Sequence, residues 1–333
     1  MKNSIILKAA LVLLIFILLF SISHAECENC SIEKPVYIVP YVGDIDGSVS
    51  DEWYYFYDLI SRFYDENEIP AGFSFYPASL NNNPNFIGPF IRMYNSKNIE
   101  LIQKGYKGDE RELKMDSLSY RQQRSIIRKG QRVFLRKMSE NGFKNAKLPK
   151  TYNQIGARVT NETIRALENL GFKIYLDVYY DPDVGPVKNT KTFDNSQYGV
   201  SFTVNGEAGA ETYFKSQEEI FRDINEINNE GREDVEILKI NNISVIPLWV
   251  HQQDFEGKIN ANEIDEEKWN LYKDTILKLK NNTNVTFLKP IQVYEMRHSN
   301  FTNTANLINQ NLILVLINKD ILKKLTYENM WLK

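Results

Sequence analysis

Cysteine and histidine are both scarce in this 333-residue chain, with two of the first and three of the second. The two cysteines, Cys27 and Cys30, are too few for a structural zinc site of the cysteine type, which wants two more ligands of that kind. Spaced as Cys-Glu-Asn-Cys with no strand-to-helix context around them, they predict a local disulfide or two free thiols rather than a redox centre. Long apolar runs are missing after the first 25 residues, so no second membrane segment is expected, and Asn311 to Ile317 reads as a buried strand. A strong excess of one charge is missing too. The net charge of −3 argues against a nucleic-acid partner, and the basic stretch Arg121 to Lys137 reads as the solvated face of a helix. No internal repeat breaks the chain into units.

What is present begins at the N-terminus. Met1-Lys2-Asn3, the apolar run Ala9 to Ile22 and the small-residue ending Ser23-His24-Ala25 have the three regions of a signal peptide. Cleavage after Ala25 is expected, with an uncleaved anchor as the alternative, and either reading puts the rest of the chain outside the cytoplasmic membrane, in the extracellular space or at the cell surface. Sequons at Asn161, Asn242, Asn281, Asn284 and Asn300 suit an exported surface that carries glycans. The organisation expected is a signal segment at 1–25, a short linker with the cysteines at 26–34, a main domain at 35–298 and a C-terminal extension at 299–333. Aromatic residues are plentiful, with 19 Tyr, 18 Phe and 4 Trp. Exposed rings stack on sugar faces, yet most of these rings are expected in the core.

Strand and helix patterns alternate along most of the chain, the mark of a sheet or barrel built from βα units. Pro35 to Val42 reads as the first strand, followed by the loop Gly43-Asp44-Ile45-Asp46-Gly47. Trp53, Phe56, Ile60 and Phe63 fall on one face of a helix predicted from Ser50 to Asn67. Ile99 to Gln103 reads as a strand and Lys104 to Glu112 as a polar loop, with Lys104 at the surface by default. Ser119 and Gln122 form a capping box opening a helix that runs to about Glu140. Phe172 to Val178 is a further strand, and Val245 to Val250 is a buried strand that delivers His251 and Asp254 to its carboxyl end.

Four stretches, read in order from Pro35 to Met296, resemble the polysaccharide deacetylase (NodB-like) family of carbohydrate esterases. Tyr41-Val42-Gly43-Asp44-Ile45-Asp46 is similar to the strand and aspartate loop of the first family motif. Ile99 to Gly108 is similar to the second, normally His-x-x-x-His. Pro149-Lys150-Thr151-Tyr152-Asn153, with the helix and Gly171 step after it, resembles the proline-rich loop region. Leu248-Trp249-Val250-His251 resembles the strand carrying the late histidine.

The resemblance implies an α/β fold, a distorted (β/α) barrel with its site at the carboxyl ends of the strands. It also implies metal-assisted hydrolysis of an N-acetyl group on a cell-surface or extracellular glycan. In that chemistry one Asp and two His hold a divalent metal, a second Asp is the base and the late His the acid. This chain departs from the pattern, because Lys104 and Gly108 stand where the paired histidines belong, and neither replaces a neutral imidazole ligand. Aligned by the strand, Gly43 falls on the base position and Asp44 on the metal-ligand position, while a shift of one or two residues lets Asp44 and Asp46 serve instead. Asp109 or Glu110 would add oxygen ligands suited to calcium or magnesium. Catalytic candidates are therefore Asp44, Asp46 and His251, with Asp44, Asp46 and Asp109 as metal ligands. Tyr152, Trp249 and Asp254 are the substrate-binding candidates. For each there is a plain alternative: turn formers for the aspartates, a hydrogen-bonded structural role for His251, a turn cap for Asp254, and core for the two rings. The functional alternatives are a barrel that binds glycan without hydrolysis, an active deacetylase with a non-standard ligand set, and a cell-surface scaffold.

Overall fold

A computed structural model describes residues 30–45, 51–82, 84–153, 160–177, 191–194, 200–202, 214–230, 237–255 and 264–297. Its strands are β1 (Val36–Ile45), β2 (Ala71–Phe75), β3 (Ile99–Lys104), β4 (Thr151–Asn153), β5 (Ile174–Asp177), β6 (Lys191–Asp194), β7 (Val200–Ser201), β8 (Lys239–Ile240), β9 (Ile243–His251) and β10 (Val285–Phe287). The longer helices are α1 (Asp51–Glu66), α2 (Ile87–Asn95), α3 (Tyr120–Glu140), α4 (Asn161–Asn169), α5 (Gln217–Glu230), α6 (Glu266–Asn281) and α7 at 290–297. One-turn helices lie at Ser79–Asn82 and Glu110–Leu113.

The strands join one sheet in the order β6-β5-β4-β3-β2-β1-β9-β7, with β10 beside the start of β1. Every pairing is parallel except the β8–β9 hairpin. Asn241 and Asn242 turn that hairpin at φ 53° and 64°, as a two-residue turn of the primed type requires. β6 and β7 are neighbours in sequence yet lie at opposite ends of the order, which is the order of a barrel opened along one seam. The architecture is a distorted (β/α) barrel, as the alternation of elements predicts.

Two layers of core follow from the two faces of the sheet. Outside, Phe73, Phe75, Leu101, Ile246, Leu248 and Val250 pack under helices whose apolar faces supply Phe56, Ile60, Phe90, Phe134, Ile224 and Ile276. Inside, Val39, Tyr41, Ile102, Ile174, Leu176, Val245 and Trp249 form a second cluster, with Val293 of α7 against it. The aromatic excess is mostly core. Phe56, Phe63, Phe202, Phe255, Trp269 and Tyr272 meet edge to face or tilted, except that Trp269 and Tyr272 stack, and the Tyr64 and Tyr272 hydroxyls hydrogen-bond each other.

Helix ends follow the local signals. The capping box of Ser119 and Gln122 opens α3, Thr160 caps α4, and Ser216 and Glu219 cap each other at α5. Gly171, at φ 84°, ends the α4 turn before β5. The stretch predicted as a polar loop from Lys104 is partly a correction: it contains the helix Glu110–Leu113 and begins with a buried lysine.

The segment before β1 is held by asparagines. Asn225 donates to the Ser31 carbonyl at 2.7 Å and accepts from the Glu33 N–H, and Asn284 donates to the Ile32 carbonyl at 2.8 Å. Cys30 is disulfide-bonded, while Cys27, the segment 1–25 predicted as a signal and the residues after 297 lie outside the described residues.

Candidate functional site

The carboxyl ends of β1, β3, β4 and β9 bring together the positions that the sequence singled out. β1 and β9 run in register so that Gly43 is the Cα partner of His251. A Cβ on Gly43 would lie 2.6 Å from His251 Cδ2 and 3.3 Å from Trp249 Nε1, so the imidazole occupies the space that a side chain at 43 would need. The absence of a side chain at Gly43 and the placement of His251 are thus one feature. Trp249 meets the imidazole edge on, with ring centroids 3.9 Å apart. The backbone N–H of His251 donates to Asp254 Oδ2 at 2.7 Å, which makes Asp254 the cap of the turn that follows β9.

Lys104 ends β3 and is 4 % exposed, so the expectation of a surface lysine is corrected. Parallel pairing carries β3 into the barrel wall, where an alternating strand must turn half its side chains inward. Its ammonium lies 5.6 Å from the centre of the Tyr76 ring. Burial pulls the Lys104 amine down to about 7. His251 is pulled down to about 3, first by burial and then by the charge of Lys104. The imidazole is therefore held neutral at physiological pH, which removes the proton that a general acid would supply.

After Lys104 the chain turns back on itself. α3 approaches closely at Gly130, where a Cβ would strike the Gln103 amide and come within 2.9 Å of the Gly105 carbonyl. The Gln103 amide donates to the carbonyls of Gly105 and Ile127, both at 3.0 Å, tying the loop to the helix. Gly105 and Gly108 take φ of 47° and 75°, and the N–H groups of Tyr106, Lys107 and Gly108 converge on the buried Glu112 carboxylate. The shortest of these bonds is 2.8 Å. Burial raises the Glu112 carboxyl above its ordinary range, against the pull of the three N–H donors. Sequence reading passed over Glu112, although its place four residues after a glycine in a polar loop was a usable signal.

The remaining predicted residues are dispersed or engaged. Asp109 caps the helix Glu110–Leu113 by accepting from the Glu112 N–H and pairs with Lys107 at 3.0 Å. Burial acts to raise its carboxyl, but the Lys107 ammonium and the N–H donors outweigh it and hold it below the usual range. Asp109 thus already has a structural partner. Tyr152 is fully buried and packs against Phe172 and Tyr175, so its ring faces protein rather than a sugar. Trp249 is 8 % exposed and stands beside His251. Asp44 lies in β1, while Asp46 and the Asp44 side chain lie outside the described residues.

Among the described residues the donors do not fit the metal that the resemblance implies. Lys104 carries an ammonium, Gly108 has no side chain, and the loop between them is folded around the carboxylate of Glu112. Among the described residues no three His, Cys, Asp or Glu side chains gather as a metal site. The mouth instead presents polar atoms that lack a hydrogen-bond partner although buried, among them Trp249 Nε1 on β9 and Asn153 Oδ1 on β4. Buried groups of this kind are normally satisfied by water or by a ligand.

Comparison with solved structures agrees with this architecture. One match is a protein from Mycobacterium smegmatis named as a polysaccharide deacetylase, with TM-score 0.51, 13 % identity, and coverage of 81 % of this chain and 96 % of that one. Another is 4-alpha-glucanotransferase from Thermococcus litoralis, with TM-score 0.51, 12 % identity, and coverage of 79 % of this chain but 40 % of that one. At such identities the likeness is one of fold alone: this chain shares its architecture with these two proteins. No family model matches the sequence, and no curated protein does.

Proposed function

We propose that this chain is an exported, deacetylase-like barrel that engages an N-acetylated glycan at the carboxyl ends of its strands without the metal-dependent hydrolysis of that family. The observation that carries the reading is the buried Lys104 at the end of β3, together with a neutral His251 that fills the space above Gly43. Among the described residues no histidine pair stands ready for metal ligation, and the neutral His251 carries no proton to donate. Binding needs neither. The unpartnered indole N–H of Trp249 and carbonyl oxygen of Asn153 are suited to the hydroxyl and amide groups of a sugar.

The test pairs two measurements on the same preparation. Calorimetry with tetra-N-acetylchitotetraose is expected to show binding, and acetate release from it in the presence of zinc or cobalt is expected to be absent. Acetate release with turnover would overturn the reading. Export is checked by N-terminal sequencing of the protein recovered from outside the cell. A start at Glu26 is expected for cleavage after Ala25, and retention inside the cell would refute export.

A further inference from the structure

Helix α3 carries seven cationic side chains and one carboxylate, Glu140 in its last turn, in a chain whose net charge is −3. On two other helices charges do pair: Arg62 with Asp58 at 2.7 Å on α1, and, at α5, Lys215 with Asp223 at 2.6 Å and Arg222 with Glu226 at 3.7 Å. On α3 the pairing is confined to the end, where Arg136 and Lys137 meet Glu140. Arg121, Arg124, Arg128 and Arg132 make no ion pair among the described residues. Their spacing of three, four and four residues puts them on one face, opposite the buried Ile127, Phe134 and Met138. At 1.5 Å per residue that stripe is about 16 Å long. Four like charges so arranged repel one another, a cost that a helix exposed only to water would not need to bear.

Beside the stripe lies a pocket of about 310 Å³ between α3 and the loop wrapped around Glu112. Tyr106, Lys107, Arg111 and Lys129 line it together with the carboxylates of Asp109 and Glu112, which are engaged by Lys107 and by the loop N–H groups. The Lys129 ammonium sits 4.1 Å from the centre of the Tyr106 ring, and Arg111 is exposed with no ion pair among the described residues.

We propose that α3 and this pocket form a track for an acidic polysaccharide, one bearing carboxylates along its length. The stripe supplies a line of guanidinium groups for carboxylates at successive repeats, and the pocket holds one sugar residue beside the Tyr106 ring. A membrane surface fits less well. The apolar side chains of α3 are packed in the core, and the stripe offers a lipid interface only Leu135, at 37 % exposure. The choice of a glycan over other polyanions rests on the function proposed above. The track lies on the outer face of the sheet and so names the acidic character of the glycan independently of the mouth.

The test uses the full chain and a triple variant, Arg121→Gln, Arg128→Gln and Arg132→Gln, all at exposed positions with good helix formers replacing them. Polygalacturonate is expected to bind at low salt, to bind less tightly as salt rises, and to lose at least roughly tenfold in affinity in the triple variant, because each guanidinium that no longer neutralises a carboxylate leaves that counterion on the polymer. Tetra-N-acetylchitotetraose binding is expected to be the same in both proteins. Equal polygalacturonate affinity in the two proteins overturns the proposal, as does tighter binding of phosphatidylglycerol vesicles or single-stranded DNA through the same arginines. Loss of chitotetraose binding in the unmodified chain, with the polygalacturonate result intact, refutes the reading of the barrel mouth and supports the track. Arg111→Gln, outside α3, is a second check: a fall of about twofold to threefold marks the pocket as part of the track.

Discussion

The two ends of β3 each bury a charged side chain, and the barrel treats them in opposite ways. At the amino end, Glu100 accepts a hydrogen bond from the Thr151 hydroxyl and another from the Ile291 N–H at 2.7 Å, so that it caps the start of α7 across the floor of the barrel. At the carboxyl end, Lys104 lies over the Tyr76 ring and its charge acts on His251. The floor is a structural closure in which a carboxylate is given donors from two elements. The mouth also holds Trp249 Nε1 and Asn153 Oδ1, buried without a hydrogen-bond partner, as is common where something binds. Buried charge alone therefore says little about function, and what surrounds it says more.

The contrast is tested most forcefully at the mouth. Glu112→Ala would leave three converging N–H groups without their acceptor, and a loss of about 4 kcal/mol is expected in urea unfolding. A loss under ~1 kcal/mol would mean that the loop after β3 does not depend on that carboxylate. Gly43→Asp forces a side chain into the space of the imidazole and is expected to cost about 3 kcal/mol without producing acetate release. Hydrolysis in that variant would show that a missing base, rather than missing ligands, is what silences the site.

The two ends also separate by pH. Burial raises Glu100 from 4.5 to about 7, so the folded state holds that proton more tightly than the unfolded chain. Stability from this group is full below pH 4.5 and is lost as pH rises toward 7. Lys104 is lowered from 10.5 to about 7, so its folded state releases the proton first and stability gains as pH climbs from 7 to 10.5. The two effects are on the order of 3 and 5 kcal/mol respectively. Glu100→Gln is expected to flatten the acid-side slope and Lys104→Met the alkaline one, read from chemical unfolding at several pH values; slopes that survive both changes would assign the dependence to other groups. The smallest effect belongs to the floor. Asn284→Ala removes the bonds to Ile32 and Glu33 and is expected to cost about 1 kcal/mol in thermal unfolding.

Much of this was legible in the sequence alone. The strand and helix alternation, the capping boxes at Ser119 and Ser216 and the buried strand ending in His251 depend on neighbours within a few residues, where periodicity and cap chemistry act. Sequence therefore determined the βα order, the fold class and the absence of a His-x-x-x-His pair anywhere in the chain. It did not determine where Lys104 points, that Glu112 is the anion gathered by the loop, or that Gly43 is bare because His251 lies over it. Each of those is a contact between strands or turns brought together only by parallel pairing, and parallel partners are joined through long crossovers that no local pattern records. Arg121, Arg124, Arg128 and Arg132 show the same division: their spacing is written in the sequence, while their lack of ion pairs among the described residues was decided by where the fold placed the carboxylates.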